Sequence, residues 1–197
     1  DDMAAEMQKG SKLSIAAAYF SIYAFEALRK ELSNIDELRF IFTDPTFIQK
    51  ENSKKEKREF YIPKLNRERG IYGTDFEVKL RNELNQKAIA RECAAWVKNK
   101  AVFKSNVGNK DITDKFILLD DKAYFPVNGF TTVDLGCEQG NNMGTNIAKV
   151  ASPMSLTLLE QFEKLWQNNE ELKDVTDKVI SSISSAYNEN APEFIYF

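Results

Sequence analysis

The sequence contains no histidine. That absence removes Ser-His-Asp and Cys-His catalysis, histidine-ligated metals and any mechanism that passes through a phosphorylated imidazole. Only two cysteines occur, Cys93 and Cys137, and neither belongs to a Cys-x-x-Cys pair, which argues against a disulfide framework or a structural zinc site. Glycine and proline are scarce, at 8 and 5 residues against 14 Phe, 7 Tyr and 2 Trp, a composition foreign to disordered or fibrous chains. No apolar run reaches the roughly 18 residues a membrane helix needs, and no segment reads as a signal peptide, so a cytoplasmic location is expected. The chemistry left open is that of carboxylates, lysines or thiols, or none.

What is present suits one large domain, or one domain with a subdomain. The 197 residues are 43% apolar, and 27 Lys and Arg face 30 Asp and Glu for a net charge of −3. A chain of this size can bury roughly 70% of its unfolded surface and needs no covalent staples.

Lys12 to Phe20 is a nearly continuous apolar stretch, expected as a strand covered on both faces. Ser21 can cap a helix whose Ile22, Phe25, Leu28 and Leu32 share one face, and Leu38 to Phe42 resumes as a second buried strand. Strand, helix and strand make a right-handed βαβ unit, so an α/β sheet is expected. Thr74 with Glu77 forms a capping box for a long helix toward Lys100, carrying Phe76, Leu80, Leu84 and Ala88, then Ala90, Ala94 and Val97. Ala101 to Ser105, Phe116 to Leu119 and Ala123 to Val127 read as strands, the last two joined by a tight turn at Asp120, Asp121 and Lys122. A C-terminal helical pair is expected over 153–190: one helix from about Ser155 to Gln167, and one capped by Asp174 with Val175, Val179, Ile183 and Tyr187 every four residues. The chain ends in an apolar segment, which reads as a fragment of something longer.

From Thr113 to Thr131 the order Thr-Asp-Lys-Phe-Ile-Leu-Leu-Asp-Asp-Lys-Ala-Tyr-Phe-Pro-Val-Asn-Gly-Phe-Thr resembles the signature of the phospholipase D superfamily, His-x-Lys-x4-Asp followed by a strand and a Gly-Ser-x-Asn-Phe-Thr-like turn. Lys115 and Asp120 stand at the lysine and aspartate positions, and Thr113 stands where the histidine would be. Pro126, Val127, Asn128 and Gly129 precede Phe130 and Thr131 in an altered turn. The resemblance implies a mixed sheet flanked by helices on both faces. In that superfamily the histidine attacks phosphorus and the lysine neutralises the phosphoryl oxygens. A threonine hydroxyl with no imidazole to take its proton is barely nucleophilic, so the motif implies no phosphodiester cleavage by the family route. The alternative for Lys115 and Asp120 is a strand-edge lysine and a turn aspartate.

Lys12 to Phe47, the segment around Asp174 to Tyr187, and Tyr187-Asn-Glu-Asn-Ala-Pro-Glu-Phe-Ile-Tyr-Phe197 look like the phospholipase D-like domain at the N-terminus of certain bacterial superfamily 2 helicases of the Swi/Snf-related kind. That likeness spans most of 1–197 as a single domain and implies an accessory role in engaging DNA or RNA or in positioning ATPase lobes in cis. ATP and Mg would belong to those later domains, because this sequence has no Gly-x4-Gly-Lys-Ser/Thr loop and no Asp-Glu-x-His or Asp-Glu-x-Asp box. No cofactor or metal is expected in this segment. Single-motif members of the superfamily commonly pair two subunits, so a dimerisation or protein-interaction module is the alternative, with a residual phosphodiesterase or nuclease a third.

Residues 49–73 read as a basic loop. Lys50, Lys54, Lys55, Lys57, Arg58, Lys64, Arg67 and Arg69 outnumber Glu51, Glu56, Glu59 and Glu68 by eight to four. Phe60, Tyr61 and Tyr72 lie close by. Clustered cations pair with phosphates and aromatic faces stack on unpaired bases, which makes nucleic acid a candidate ligand. A solvated loop whose glutamates partly offset its lysines is the plainer reading. Cys93 sits among Ala90, Ala94 and Ala95 as a small buried thiol, and Cys137 has no adjacent basic partner. Asp111, Asp114, Asp120 and Asp121 match no calcium-loop spacing. Trp96 and Trp166 are expected to anchor helices against the sheet.

Overall fold

The run Leu-Ser-Ile-Ala-Ala needs cover on both faces, and the computed structural model places it at the centre of the molecule. The structure describes residues 2–44, 75–107, 112–125, 127, 129–137 and 147–185, with the side chains of 2, 75–86 and 185 excepted. Outside the described residues lie the basic loop expected with Lys50, Lys54, Lys55, Lys57, Arg58, Lys64, Arg67 and Arg69, Thr74 of the expected capping box and the chain end from 186, while of Phe76, Glu77, Leu80 and Leu84 only the helical backbone is described.

In chain order the first half comprises α1 (Asp2–Glu6), β1 (Lys12–Ala17), β2 (Tyr19–Phe20), α2 (Ile22–Ala27), α3 (Arg29–Asn34), β3 (Glu37–Phe42) and α4 (Asp75–Lys100). The second half comprises β4 (Ala101–Asn106), β5 (Phe116–Leu119), β6 (Lys122–Phe125), β7 (Gly129–Phe130), β8 (Ala148–Val150), α5 (Met154–Trp166), β9 (Leu172–Asp174) and α6 (Thr176–Ser185).

Seven strands form one mixed sheet in the order β8-β6-β5-β1-β3-β4-β9. The three central strands β1, β3 and β4 are parallel, and every flanking pair is antiparallel. The parallel β1 and β3, joined through α2 and α3, are the βαβ unit expected from the sequence.

Alternation along the strands divides the core into two layers. Leu13, Ile15 and Ala17 of β1, Leu38, Phe40 and Phe42 of β3, Phe103 of β4 and Ile117 and Leu119 of β5 face the larger layer, covered by α1, α2, α3, α4 and α6. Here Phe20 meets Phe103 edge-on at 5.1 Å and stacks on Phe130 at 5.5 Å. The intervening residues Ala16, Ile41, Phe116, Leu118 and Ala123 face α5, which contributes Phe162 to a smaller layer. The two C-terminal helices thus lie on opposite faces, with β9 between them in sequence. The result is an α/β fold whose sheet carries helices on both faces.

Several elements differ from the sequence reading. The strand expected over Lys12 to Phe20 breaks at Ala18, and Tyr19 and Phe20 leave the large sheet to pair with Gly129 and Phe130. The helix after Ser21 is two short helices separated at Leu28 (φ −108°, ψ 18°). No Gly or Pro lies at that break, and Ile22, Phe25, Leu28 and Leu32 are all buried across it. The β5 to β6 turn contains only Asp120 and Asp121, since Lys122 already pairs with Leu119. Ser21 does cap α2, its Oγ accepting the Tyr23 amide at 3.2 Å, and the Asp174 carboxylate accepts the Thr176 amide at 2.8 Å as α6 begins.

The tryptophans divide between the layers. Trp96 of α4 packs on Phe25 at 5.4 Å and donates its indole N–H to the Leu32 carbonyl at 3.2 Å, so it ties helix to helix. Trp166 stacks on Phe162 at 5.7 Å, with the Arg39 guanidinium and the Lys104 ammonium over its ring, and fastens α5 to the sheet.

Candidate functional site

Open α/β sheets tend to place ligands beyond the carboxyl ends of their parallel strands, where chain crossovers diverge. In this sheet β1 is the switch strand: its connection leads to β3 on one side, while β5 lies antiparallel on the other. At the carboxyl ends of β3 and β4 the apolar pattern gives way to Thr43, Ser105 and Asn106, all buried. The Thr43 amide donates to the Ala17 carbonyl at 3.0 Å, and the Asn106 side-chain amide donates to the Thr43 carbonyl at 3.2 Å. The Thr43 hydroxyl, only 1% of the residue being exposed, has no hydrogen-bond partner among the described residues. Buried polar groups are usually paired, so an orphan hydroxyl at a strand end is worth noting.

The antiparallel register of β5 on β1, with Phe116 opposite Ala16, brings the segment before β5 to this same edge. Thr113 is exposed there and Lys115 is half-buried, its carbonyl accepting the Val127 amide at 3.5 Å. Strand alternation continues the row of Leu119 and Ile117 to Lys115. Among the described residues the Lys115 ammonium has no carboxylate partner. Next to it, β7 lies against β2 so closely that a Cβ on Gly129 would fall 2.9 Å from the Tyr19 Cβ and 3.0 Å from the Tyr19 carbonyl oxygen. Asp134 holds the turn that follows, its carboxylate accepting the Gly129 amide at 3.0 Å and the Thr131 hydroxyl at 2.8 Å.

Asp120 is elsewhere. The whole of β5, four residues or roughly 13 Å of strand, separates it from Lys115. At φ 53° in the turn, Asp120 accepts the Lys12 amide on its carboxylate at 2.8 Å and donates its own amide to the Lys12 carbonyl at 3.1 Å. The structure therefore brings Thr113 and Lys115 to one edge and places Asp120 at the other, as a fastener for the start of β1.

The remaining candidates are structural. Burial pushes the Cys93 thiol up to about 12, so it is protonated and inert at neutral pH. Cys137 is half-buried, its amide donating to the Thr132 carbonyl at 2.8 Å. No group of three or more acidic or cysteine side chains among the described residues could hold a metal ion, and no described helix is long and apolar enough to cross a membrane.

Sequence reasoning passes over Thr43, Ser105 and Asn106, since isolated polar residues at strand ends carry no motif. It also passes over Arg39, whose guanidinium is clasped by Glu163, 124 residues away, at 2.6 and 3.1 Å. An arginine inside an otherwise apolar strand was the available signal. No protein-family model matches the chain, and no curated protein is similar to it in sequence.

Proposed function

We propose that the chain is a non-catalytic phospholipase D-like domain that engages nucleic acid as an accessory to a helicase motor. The reading is carried by one observation: Thr113 and Lys115 lie at the carboxyl edge of the parallel strands, where the Lys115 ammonium has no carboxylate partner among the described residues. A cation so placed can neutralise a phosphate. With no histidine in the sequence, the covalent route through an imidazole has no nucleophile, so the edge holds a phosphodiester without cutting it. The basic segment from Lys50 to Arg69 supports the reading through its charge, by counterion release and stacking.

Fluorescence anisotropy with a labelled single strand and a labelled duplex across a salt series tests it. Binding should weaken steeply with salt. Lys115→Ala should lower affinity several-fold, and charge reversal at Lys54, Lys55, Lys57 and Arg58 should abolish it. Binding unaffected by either change, or steady turnover of a generic phosphodiester lost on removing the Thr113 hydroxyl, would refute the reading. A concentration-dependent dimer without nucleic-acid affinity would favour the interaction module instead.

A further inference from the structure

Between α5 and the sheet, at the amino end of β1 and so opposite the edge just described, lies a cleft of about 380 Å³. Its volume is in the range that takes a small molecule. Leu118 and Leu159 form an apolar wall, and Lys12, Ser14, Arg39 and Glu163 a polar one. The Arg39 side chain is only 14% exposed, and everything around it fixes its plane. Its Nε and Nη2 donate to the Ser14 hydroxyl at 3.2 and 2.9 Å, and its guanidinium lies 5.0 Å from the Phe162 ring centre and 5.6 Å from that of Trp166. Glu163 contributes the last contacts, a fork-on-fork pair to Nη1 and Nη2, from a side chain 39% exposed.

The two halves of this pair differ in kind. Arg39 has contacts besides Glu163, to Ser14 and two aromatic rings, whereas Glu163 is the more exposed of the pair. A preorganised guanidinium with a removable carboxylate is a receptor occupied by its own internal ligand, and the ordering cost of a replacement has already been met. Lys12 adds a second positive charge, near enough to help hold the Glu163 carboxyl below its ordinary range, after the larger effect of Arg39 itself. Asp120 also lines the cleft, its Oδ1 taken by the Lys12 amide, and its charge opposes an incoming anion.

We propose that this cleft binds a small oxyanion, a carboxylate or phosphate group, which displaces the Glu163 carboxylate from Arg39 and is flanked by Lys12, with any short hydrocarbon body resting on Leu118 and Leu159. Glu163 thereby acts as an autoinhibitory plug. The site does not depend on the nucleic-acid reading, since its residues lie at the opposite end of the sheet.

Calorimetric titration of the full chain with succinate and with inorganic phosphate, at matched ionic strength, tests the proposal and tells the two sources apart. The wild type should bind weakly. Glu163→Gln should bind at least one probe roughly tenfold more tightly, the scale of one charge-assisted hydrogen bond. Asp120→Asn should strengthen binding, and the double variant Arg39→Gln with Glu163→Gln, which strands no charge, should bind neither probe. Affinity in Glu163→Gln no better than in wild type, or binding retained in the double variant, would overturn the proposal. If Glu163→Gln does not fold, the Arg39 Nε–H resonance of the wild type decides: a saturable shift with either probe supports the site, and no shift overturns it.

Discussion

Asp120 and Lys12, 108 residues apart, are joined by two hydrogen bonds: the Lys12 amide to the Asp120 carboxylate at 2.8 Å and the Asp120 amide to the Lys12 carbonyl at 3.1 Å. The first depends on the side chain. Asp120→Ala should therefore leave the Lys12 amide without its acceptor and place a Cβ-bearing residue without a local polar contact at φ 53°, costing about 1 to 2 kcal/mol. Asp120→Asn, which keeps an acceptor and tolerates that backbone, should cost less. Urea unfolding of the three proteins checks the order.

The Glu6 carboxyl is held down to about 2, from the usual 4.5, first by Lys149, then by Lys122, with the Tyr124 hydroxyl donating to it at 3.1 Å. A carboxyl whose folded value is depressed contributes stability that is fully present above about 4.5 and is lost as pH falls toward about 2. Within that window wild-type stability should fall more steeply than that of Glu6→Gln. Above it the two curves should run parallel. Denaturation midpoints at both ends of the window measure the difference, and equal slopes would remove Glu6 from the acid response.

Gly129 faces the Tyr19 backbone with no room for a methyl group. Gly129→Ala should force β2 and β7 apart and destabilise the protein by about 1 to 3 kcal/mol, as overpacking does. Because the Ser21 amide donates to the Phe130 carbonyl at 3.0 Å, faster amide exchange at Ser21 is the local signature to look for.

Cys93 is fully buried in α4, with its thiol raised to about 12. A water-soluble thiol reagent should label Cys137 in the native protein and reach Cys93 only on opening of the α4 layer. Labelling rates at Cys93 that track denaturant concentration would confirm this, and rapid native labelling would contradict it.

Sequence and structure agree where local chemistry decides the outcome. Ser21 before a periodic run, the unalternating Leu-Ser-Ile-Ala-Ala segment and the acidic turn between two apolar runs were each readable because cap, burial and turn leave compositional marks within a few residues. The edge strands β8 and β9 were not, being three residues long, largely exposed and held only by their neighbours. Nor was the departure of Tyr19 and Phe20 from β1, which is set by Gly129 more than a hundred residues later. At the candidate site, the spacing of Lys115 and Asp120 fits a motif on paper, yet an extended strand of that length keeps their side chains apart. The groups that do converge, Thr43, Ser105 and Asn106 at one edge and Ser14, Arg39 and Glu163 at the other, are assembled by sheet register and, for Glu163, by the packing of α5 on the sheet.

The position of the two indoles offers an optical handle. Trp96 looks into the larger layer and Trp166 into the layer under α5, with the sheet between them. Replacing either by Phe leaves a single fluorophore, so emission from one variant follows the melting of one side of the sheet and emission from the other follows the opposite side. Coincident transitions would mean that the two layers come apart together; an earlier loss of the Trp166 signal would identify the lone helix as a separately opening flap.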